Sequence, residues 1–166
     1  DRTVSRGLGD VYKRQILFII PSIVMANGHK LEEQNLKVVD TFFANVFTNP
    51  ELAMEQVHED FEFEFMGICE ICKKYNKETY ESVWLKQVIP EVLPNGVTLN
   101  ITNKIAGGDM VVLITEGEAE GINGEYNNNY AMVMQLKDKK IISFQEYMSD
   151  LLAETRLHKK KVVDID

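Results

Sequence analysis

The sequence predicts an α+β domain in which three helices are followed by a meander of antiparallel strands. Up to about residue 90, most apolar residues recur at helical spacing. After the turn formed by Pro94, Asn95 and Gly96, apolar and polar residues alternate until about residue 148. Helices and strands that are segregated along the chain in this way are typical of the α+β class.

The first 15 residues are predicted to lie outside the fold. The stretch SRGLGDVYKRQ, residues 5–15, resembles the in-frame translation of a transposon-end adapter used to prepare sequencing libraries. We therefore interpret residues 1–15 as an adapter-derived scar, of the kind found in metagenomic assemblies, and exclude it from fold reasoning. A disordered basic tail is the alternative.

The next segment has the character of a truncated secretory signal. Residues 16–26, ILFIIPSIVMA, are uncharged and apolar, and small residues precede Asn27 at the positions that a signal peptidase reads. The segment is shorter than the roughly 20 residues that a membrane-spanning helix needs. We predict cleavage after Ala26 and an exported protein, periplasmic or secreted, without stable membrane insertion. A buried N-terminal strand or helix is the alternative.

The domain is predicted to span residues 27–157 and to begin with two helices. Residues 31–47 place an apolar stripe on one side of a helix. Asn49 then supplies an N-cap and Pro50 a first-turn proline for a short second helix near residues 50–57. The tail from residue 158 to residue 166 is expected to be solvated.

A strand and a third helix follow. Phe61, Phe63 and Phe65 alternate with glutamates, which predicts a strand. Asn76 is expected to cap the third helix, and Pro90 is expected to end it because proline lacks a backbone N–H.

Four longer strands complete the predicted domain, joined by turns rich in Gly, Asn and Asp. Asn123-Gly124 is a strong hairpin signal, and Asp138-Lys139 predicts a second tight turn. The four strands are expected near residues 97–105, 110–120, 125–136 and 140–148.

Charge, cysteine and histidine content limit the kinds of partner and site that are expected. The chain carries a formal net charge of −8, so contact with a nucleic-acid backbone is not expected. Cys69 and Cys72 form a CEIC motif, which favours a local disulfide or plain loop thiols, with redox or metal chemistry as the alternative. The three histidines are scattered, so no metal site and no cofactor are expected.

Two glutamates are the candidate acid/base groups. If both turns are two-residue loops, Glu116 and Glu146 flank Ala131 on one sheet face among apolar neighbours. Carboxyl groups in apolar surroundings have raised pKa values and can exchange protons near neutral pH. The alternative is that both glutamates point to solvent. The same register places Tyr126, Tyr130 and Tyr147 together on the other face, where a homodimer contact is expected.

The run NGEYNNNYAMVMQLKDKKIISFQEYMSD, residues 123–150, resembles the closing strands of the SnoaL-like, nuclear transport factor 2-like superfamily. That superfamily includes ketosteroid isomerases, polyketide cyclases and limonene epoxide hydrolase. The resemblance implies a cone-shaped domain, with a curved antiparallel sheet wrapped on three N-terminal helices around a hydrophobic pocket. It also implies that Glu146, and less closely Glu116, correspond to the carboxylates of the epoxide hydrolase.

The resemblance implies that the protein acts on a small hydrophobic molecule by acid/base isomerisation, cyclisation or hydrolysis, with Glu146 and Glu116 as catalytic residues. A non-catalytic ligand-binding or dimerisation module on the same fold is the alternative, because fold alone does not determine function. Two further polar residues, Tyr147 and Asn129, are expected to orient a substrate oxygen or a water. The predicted apolar lining of the pocket consists of Phe144, Met148, Trp84 and Phe63.

Overall fold

A computed structural model describes residues 20–165 of the chain, and its side chains from residue 28 onward. The predicted adapter scar, and residues 16–19 of the predicted signal segment, lie outside the described residues. None of the described helices has the length and apolar content that crossing a membrane requires.

The helices pack on one face of a seven-stranded sheet. Helix α1 spans Ile20–Asn45 and helix α2 spans Pro50–Met54. A third helix, α3, consists of three consecutive pieces, and its wide central piece has π geometry: Lys77–Thr79, Tyr80–Val88 and Ile89–Val92. A C-terminal helix, α4, consists of Asp150–Leu152 followed by Ala153–Leu157.

The strands are bounded as follows: β1 Val57–Phe65, β2 Lys74–Asn76, β3 Val97–Gly107, β4 Met110–Gly121, β5 Gly124–Glu125, β6 Asn128–Lys137 and β7 Lys140–Tyr147. Their order across the sheet is β2-β1-β7-β6-β4-β3, and the short β5 pairs with β4. The β1–β7 pair is parallel and the other pairs are antiparallel. The α+β architecture with a curled sheet on helices is therefore confirmed.

Local sequence signals explain several of these boundaries. The Asn49 side chain accepts a hydrogen bond from the Leu52 N–H at the start of α2, as its capping position predicts. Asn76 and Thr79 form a reciprocal capping box at the start of α3. Helix α3 does not end at Pro90 but continues to Val92, because the proline lies in the first turn of its last piece, where a missing N–H costs little.

Helix α1 is longer than its apolar stripe predicts, and it includes residues 20–30. Its buried positions Asn35, Val39 and Phe42 recur at helical spacing against the sheet, and the buried Val46 continues the series just beyond the helix end. Asn35 also donates a hydrogen bond to the carbonyl of Gly108 in the β3–β4 turn, which ties the helix to that end of the sheet.

The registers of β4, β6 and β7 decide which side chains face the helices. The first hairpin turns at Ile122-Asn123, one residue earlier than predicted, because Gly121 pairs with Gly124. The second turns at Asp138-Lys139 as predicted, and both residues have positive φ angles of 52° and 62°.

A β-bulge in β7 reverses part of the predicted facing. Leu136 pairs with Ile141 but Gln135 pairs with Ser143, so Ile142 is an extra residue in the strand. Beyond this bulge, Phe144 and Glu146 share the helix-covered face with Met132, and Tyr147 lies on the opposite face. A bulge inserts one residue and therefore exchanges the two faces of everything that follows it.

Candidate functional site

A largely apolar chamber lies between α1, α3 and the inner face of the sheet. Its walls include the aromatic side chains Phe43, Phe65, Trp84 and Phe144, and its free volume is about 50 Å³. Of the described residues that line it, Glu146 is the one with an ionisable carboxyl group. A chamber with one convergent acidic group in an apolar wall is the usual form of a small-molecule site.

Glu146 is held in the chamber by its neighbours in the sheet. It lies in β7 between Phe65 of β1 and Met132 of β6. Burial among apolar side chains raises the pKa of Glu146 from 4.5 to about 8, because the charged form loses most of its hydration. The residue as a whole keeps a minor part of its surface accessible, in line with a side chain that lines a chamber.

Three buried tyrosines surround this carboxyl group. Tyr80 of α3, Tyr126 and Tyr130 all line the chamber with Glu146. Burial raises the pKa of each hydroxyl, and the negative charge of Glu146 raises all three further. The hydroxyls therefore stay protonated and can donate hydrogen bonds to a ligand oxygen or to the carboxylate.

A buried amide positions one of the tyrosines. The Asn128 side chain is 4% exposed, and its amide group donates a hydrogen bond to the Tyr126 hydroxyl oxygen at 3.1 Å. Its carbonyl oxygen accepts from the backbone N–H of Ser149 at 3.2 Å. Ser149 is the N-cap of α4, so the network fixes the tyrosine to the start of the C-terminal helix.

A glycine in the neighbouring strand leaves room for Tyr130. A β-carbon on Gly117 would lie 2.6 Å from Cε2 of the Tyr130 ring, closer than carbon atoms approach. The absence of a side chain at Gly117 therefore leaves the space that the Tyr130 ring occupies in the chamber wall.

The disulfide loop forms another part of the wall. Cys69 and Cys72 are bonded, with their Cα atoms 4.9 Å apart, and Ile71 between them is buried and lines the chamber. The loop is attached to α4: Asp150 accepts from the Ile68 N–H at 2.8 Å, and Glu154 accepts from the Glu70 N–H at 2.6 Å. Of the alternatives for the CEIC motif, the structure has the local disulfide.

The predicted pairing of Glu116 with Glu146 is wrong. Glu116 is exposed on the outer face of the sheet, where it pairs across the strands with Asn100 and Asn129. Ala131 lies opposite Ile114 and Tyr147 rather than between the two glutamates. The bulge at Ile142 moves Glu146 to the inner face, and the first turn at Ile122-Asn123 shifts the partner of Ala131 from Glu116 to Ile114.

The predicted apolar pocket residues differ in whether they line the chamber. Phe144 and Trp84 line the chamber, whereas Phe63 is fully buried in the aromatic core beside it. Met148 is partly buried against the core and is not part of the described lining.

Two predicted polar residues lie outside the chamber. Tyr147 is 44% exposed, and Asn129 is also exposed; both are on the outer face. They therefore cannot orient a molecule beside Glu146. The predicted common face of three tyrosines is likewise wrong, because Tyr126 and Tyr130 face inward.

No role in the chamber is predicted from the sequence for the groups that surround Glu146: Tyr80, Tyr126, Tyr130 and Asn128. The alternation of Tyr126, Asn128 and Tyr130 in the sequence predicts that they share one sheet face. Without the bulge in β7, however, the predicted face does not contain Glu146. Within residues 20–165, no three His, Cys, Asp or Glu side chains converge in a way that could hold a metal ion.

Comparison with solved structures identifies the fold. A nuclear transport factor 2-like protein from Burkholderia xenovorans LB400 is similar, with a TM-score of 0.65 and 15% identity over 76% of this chain and 98% of that one. A putative SnoaL-like polyketide cyclase from Jannaschia sp. CCS1 has a TM-score of 0.61 and 15% identity, over 79% and 96%. TerC, crystallised with polyporic acid, has a TM-score of 0.65 and 17% identity, over 75% and 97%.

These similarities show that the chain has the nuclear transport factor 2-like fold, which the resemblance of residues 123–150 had indicated. No protein-family model and no curated protein sequence matches the chain significantly.

Proposed function

We propose that this protein binds a small, mainly apolar molecule carrying a polar oxygen, and that Glu146 exchanges a proton with it. The observation that carries the proposal is the single carboxyl group in an apolar chamber, whose pKa is raised to about 8. At pH 7 such a group is about nine-tenths protonated, so it can donate a proton to a carbonyl or epoxide oxygen.

The remaining ionised fraction can act as a base. A Glu146 carboxylate would take a proton from a carbon next to a carbonyl group, while a tyrosine hydroxyl hydrogen-bonds to the carbonyl oxygen, on which negative charge develops. Return of the same proton to a different carbon gives an isomer with no net change in atoms. In hydrolysis of an epoxide or lactone, Glu146 would donate its proton to the oxygen as the C–O bond breaks, and the attacking water would return a proton to the Glu146 carboxylate.

A non-catalytic binding protein is the second candidate, and the lining of the chamber favours it in one respect. Among the described residues that line the chamber, no second carboxylate or histidine lies beside Glu146. Many hydrolytic and cyclising sites use a pair of such groups. In this case the protonated Glu146 would serve as a hydrogen-bond donor to an oxygen of the ligand.

The experiment compares the unmutated protein with Glu146→Gln and with Glu116→Gln as the matched control on the outer face. Binding of a neutral fluorescent naphthylamine is measured first, and then turnover of enones, epoxides and lactones. For the enzyme we expect turnover that depends on a group titrating near pH 8 and that is lost only in Glu146→Gln. Binding without turnover would support the second candidate, and absence of both would contradict the proposal.

We also propose export, which is supported by the apolar run of residues 16–26 and by the disulfide, since disulfides persist in oxidising compartments. When the chain is expressed with a complete signal, N-terminal sequencing of the product should start at or near Asn27. Recovery of residues 16–26 in the secreted protein would contradict the predicted cleavage.

A further inference from the structure

The chamber around Glu146 is too small, as it stands, for the ligand that its walls suit. Its free volume of about 50 Å³ has room for a few water molecules, since about 10–15 Å³ of such volume is enough to hold one. Pockets for drug-sized ligands usually measure about 300–1,000 Å³. A ligand can therefore enter only if part of the wall moves.

Two open grooves lie against the chamber. One, of about 470 Å³, runs between the α3 segment Leu85–Leu93 and the start of β3, and the other, of about 360 Å³, lies between α1 and β3. Of the residues that the structure describes, Phe47 and Val97 are the two that line both grooves and the chamber as well. The chamber also shares Val46, Leu85, Ile89 and Leu93 with the first groove, and Phe43 and Leu99 with the second. Phe47 and Val97 are therefore the part of the partition that borders all three spaces.

The two partition residues differ in how freely they can move. Val97 is a β-branched residue in a paired strand, opposite Ala119, and its side chain has little rotational freedom. Phe47 lies in the turn between α1 and α2, and its side chain is 48% exposed. Exposed side chains change rotamer on the picosecond to nanosecond scale, so Phe47 is the part of the wall that can move at low cost.

We propose that Phe47 is the gate of the Glu146 chamber. With the ring in place the chamber has a free volume of only about 50 Å³. With the ring turned outward the chamber joins the two grooves and reaches the size of an ordinary ligand pocket. The ligand class that fits this arrangement is an elongated apolar molecule, with an oxygen at the end that reaches Glu146 and an apolar body that lies in the grooves.

The ligand class rests on the proposed function, but the gate itself can be tested without any ligand. Trp84 is the only tryptophan in the sequence, is 4% exposed and lines the chamber. Its fluorescence therefore reports directly on whether a small molecule can enter. Acrylamide, a neutral quencher, reaches the indole only when the partition opens.

The variants are Phe47→Ala, which removes the gate, and Phe47→Tyr, which keeps the ring. Leu52→Ala is the matched control, because Leu52 is a similarly exposed apolar residue, 37% exposed, outside the chamber and both grooves. If the open state is a minor one of at most about 10%, permanent opening raises the quenching rate constant of Trp84 about tenfold or more. We expect that increase in Phe47→Ala alone.

Equal quenching in Phe47→Ala and the unmutated protein, with both folded by circular dichroism, would overturn the gate. An equal increase in Leu52→Ala would also overturn it, because the effect would then reflect general loosening. Stopped-flow binding of the naphthylamine probe separates the two proposals. If the probe does not bind to Phe47→Ala although quenching has increased, the proposed function fails and the gate stands. Faster association of the probe with Phe47→Ala, accompanied by loss of Trp84 fluorescence, supports both the gate and the proposed function.

Discussion

The raised pKa of Glu146 predicts that the protein loses stability as pH rises, and that Glu146→Gln removes this loss. In the unfolded chain a glutamate ionises near pH 4.5, whereas in the folded protein Glu146 ionises near pH 8. Below pH 4.5 both states are protonated and the carboxyl group has no effect on folding. Between these values the folded protein keeps a proton that the unfolded chain releases, so the free energy of unfolding falls with rising pH.

The size of the effect follows from the pKa difference. Each pH unit within the window lowers the free energy of unfolding by about 1.4 kcal/mol, so the full window corresponds to on the order of 5 kcal/mol. Because Glu146 keeps part of its surface accessible, we expect a loss of about 3 kcal/mol. Above pH 8 the loss is complete and the curve becomes flat.

Urea denaturation at pH 5, 7 and 9 measures the effect as a difference between two proteins. Other titrating groups, including Glu154 with its lowered pKa beside Lys160, are present in both and cancel. Glu146→Gln should gain about 3 kcal/mol relative to the unmutated protein between pH 5 and pH 9. Glu116→Gln, on the outer face, should follow the unmutated protein. A Glu146→Gln difference that is constant across this range would refute the reasoning.

Three further predictions concern packing, the disulfide and assembly. Gly117→Ala should lower the free energy of unfolding by about 1–3 kcal/mol because the added methyl group displaces Tyr130. Gly107→Ala is the control and should cost less, because its methyl group meets no atom within 4 Å. Equal losses of the two variants in denaturation would contradict this prediction. Reduction of the Cys69–Cys72 disulfide should lower the free energy of unfolding by about 2 kcal/mol. Denaturation with and without a dithiol measures this difference, and an unchanged free energy would refute a stabilising role of the bond. We propose a homodimer through the outer sheet face, where Ile114 is partly exposed. Light scattering of the purified protein should give twice the mass of one chain, and the mass of a single chain would contradict the proposal.

The sequence predicts much of the fold because its elements have local causes. The caps at Asn49 and Asn76, the tight turn at Asp138-Lys139 and the alternation in β4 and β6 depend on residues close together in the chain. Helix α4 and the short strand β2 were not predicted. Their few residues show no clear periodicity, and their positions depend on contacts with distant parts of the chain.

The candidate site was predicted only in part. The sequence identifies Glu146, but the predicted strand register places it on the same face as Glu116 instead of Tyr130. The alternation of apolar and polar residues in β7 gives no sign of the extra residue. The parallel pairing of β1 with β7 also shifts in register at this place, because Val57 pairs with Ile141 and Glu62 with Ser143. Such contacts between distant segments decide where a bulge lies, and the pattern within one strand does not reveal them.

The bulge at Ile142 also limits how far sites can be transferred between proteins of this fold by alignment. A relative that lacks the extra residue would need its acidic group at the position of Gln145 or Tyr147 to reach the same chamber. In an alignment without a gap, a protein with the bulge and one without it could have equivalent sites and yet show no shared acidic residue. If the acidic residue were shared in the alignment, it would lie on opposite faces of the sheet in the two proteins. At 15–17% identity, equivalence is therefore better judged from the face of the strand than from the column of an alignment.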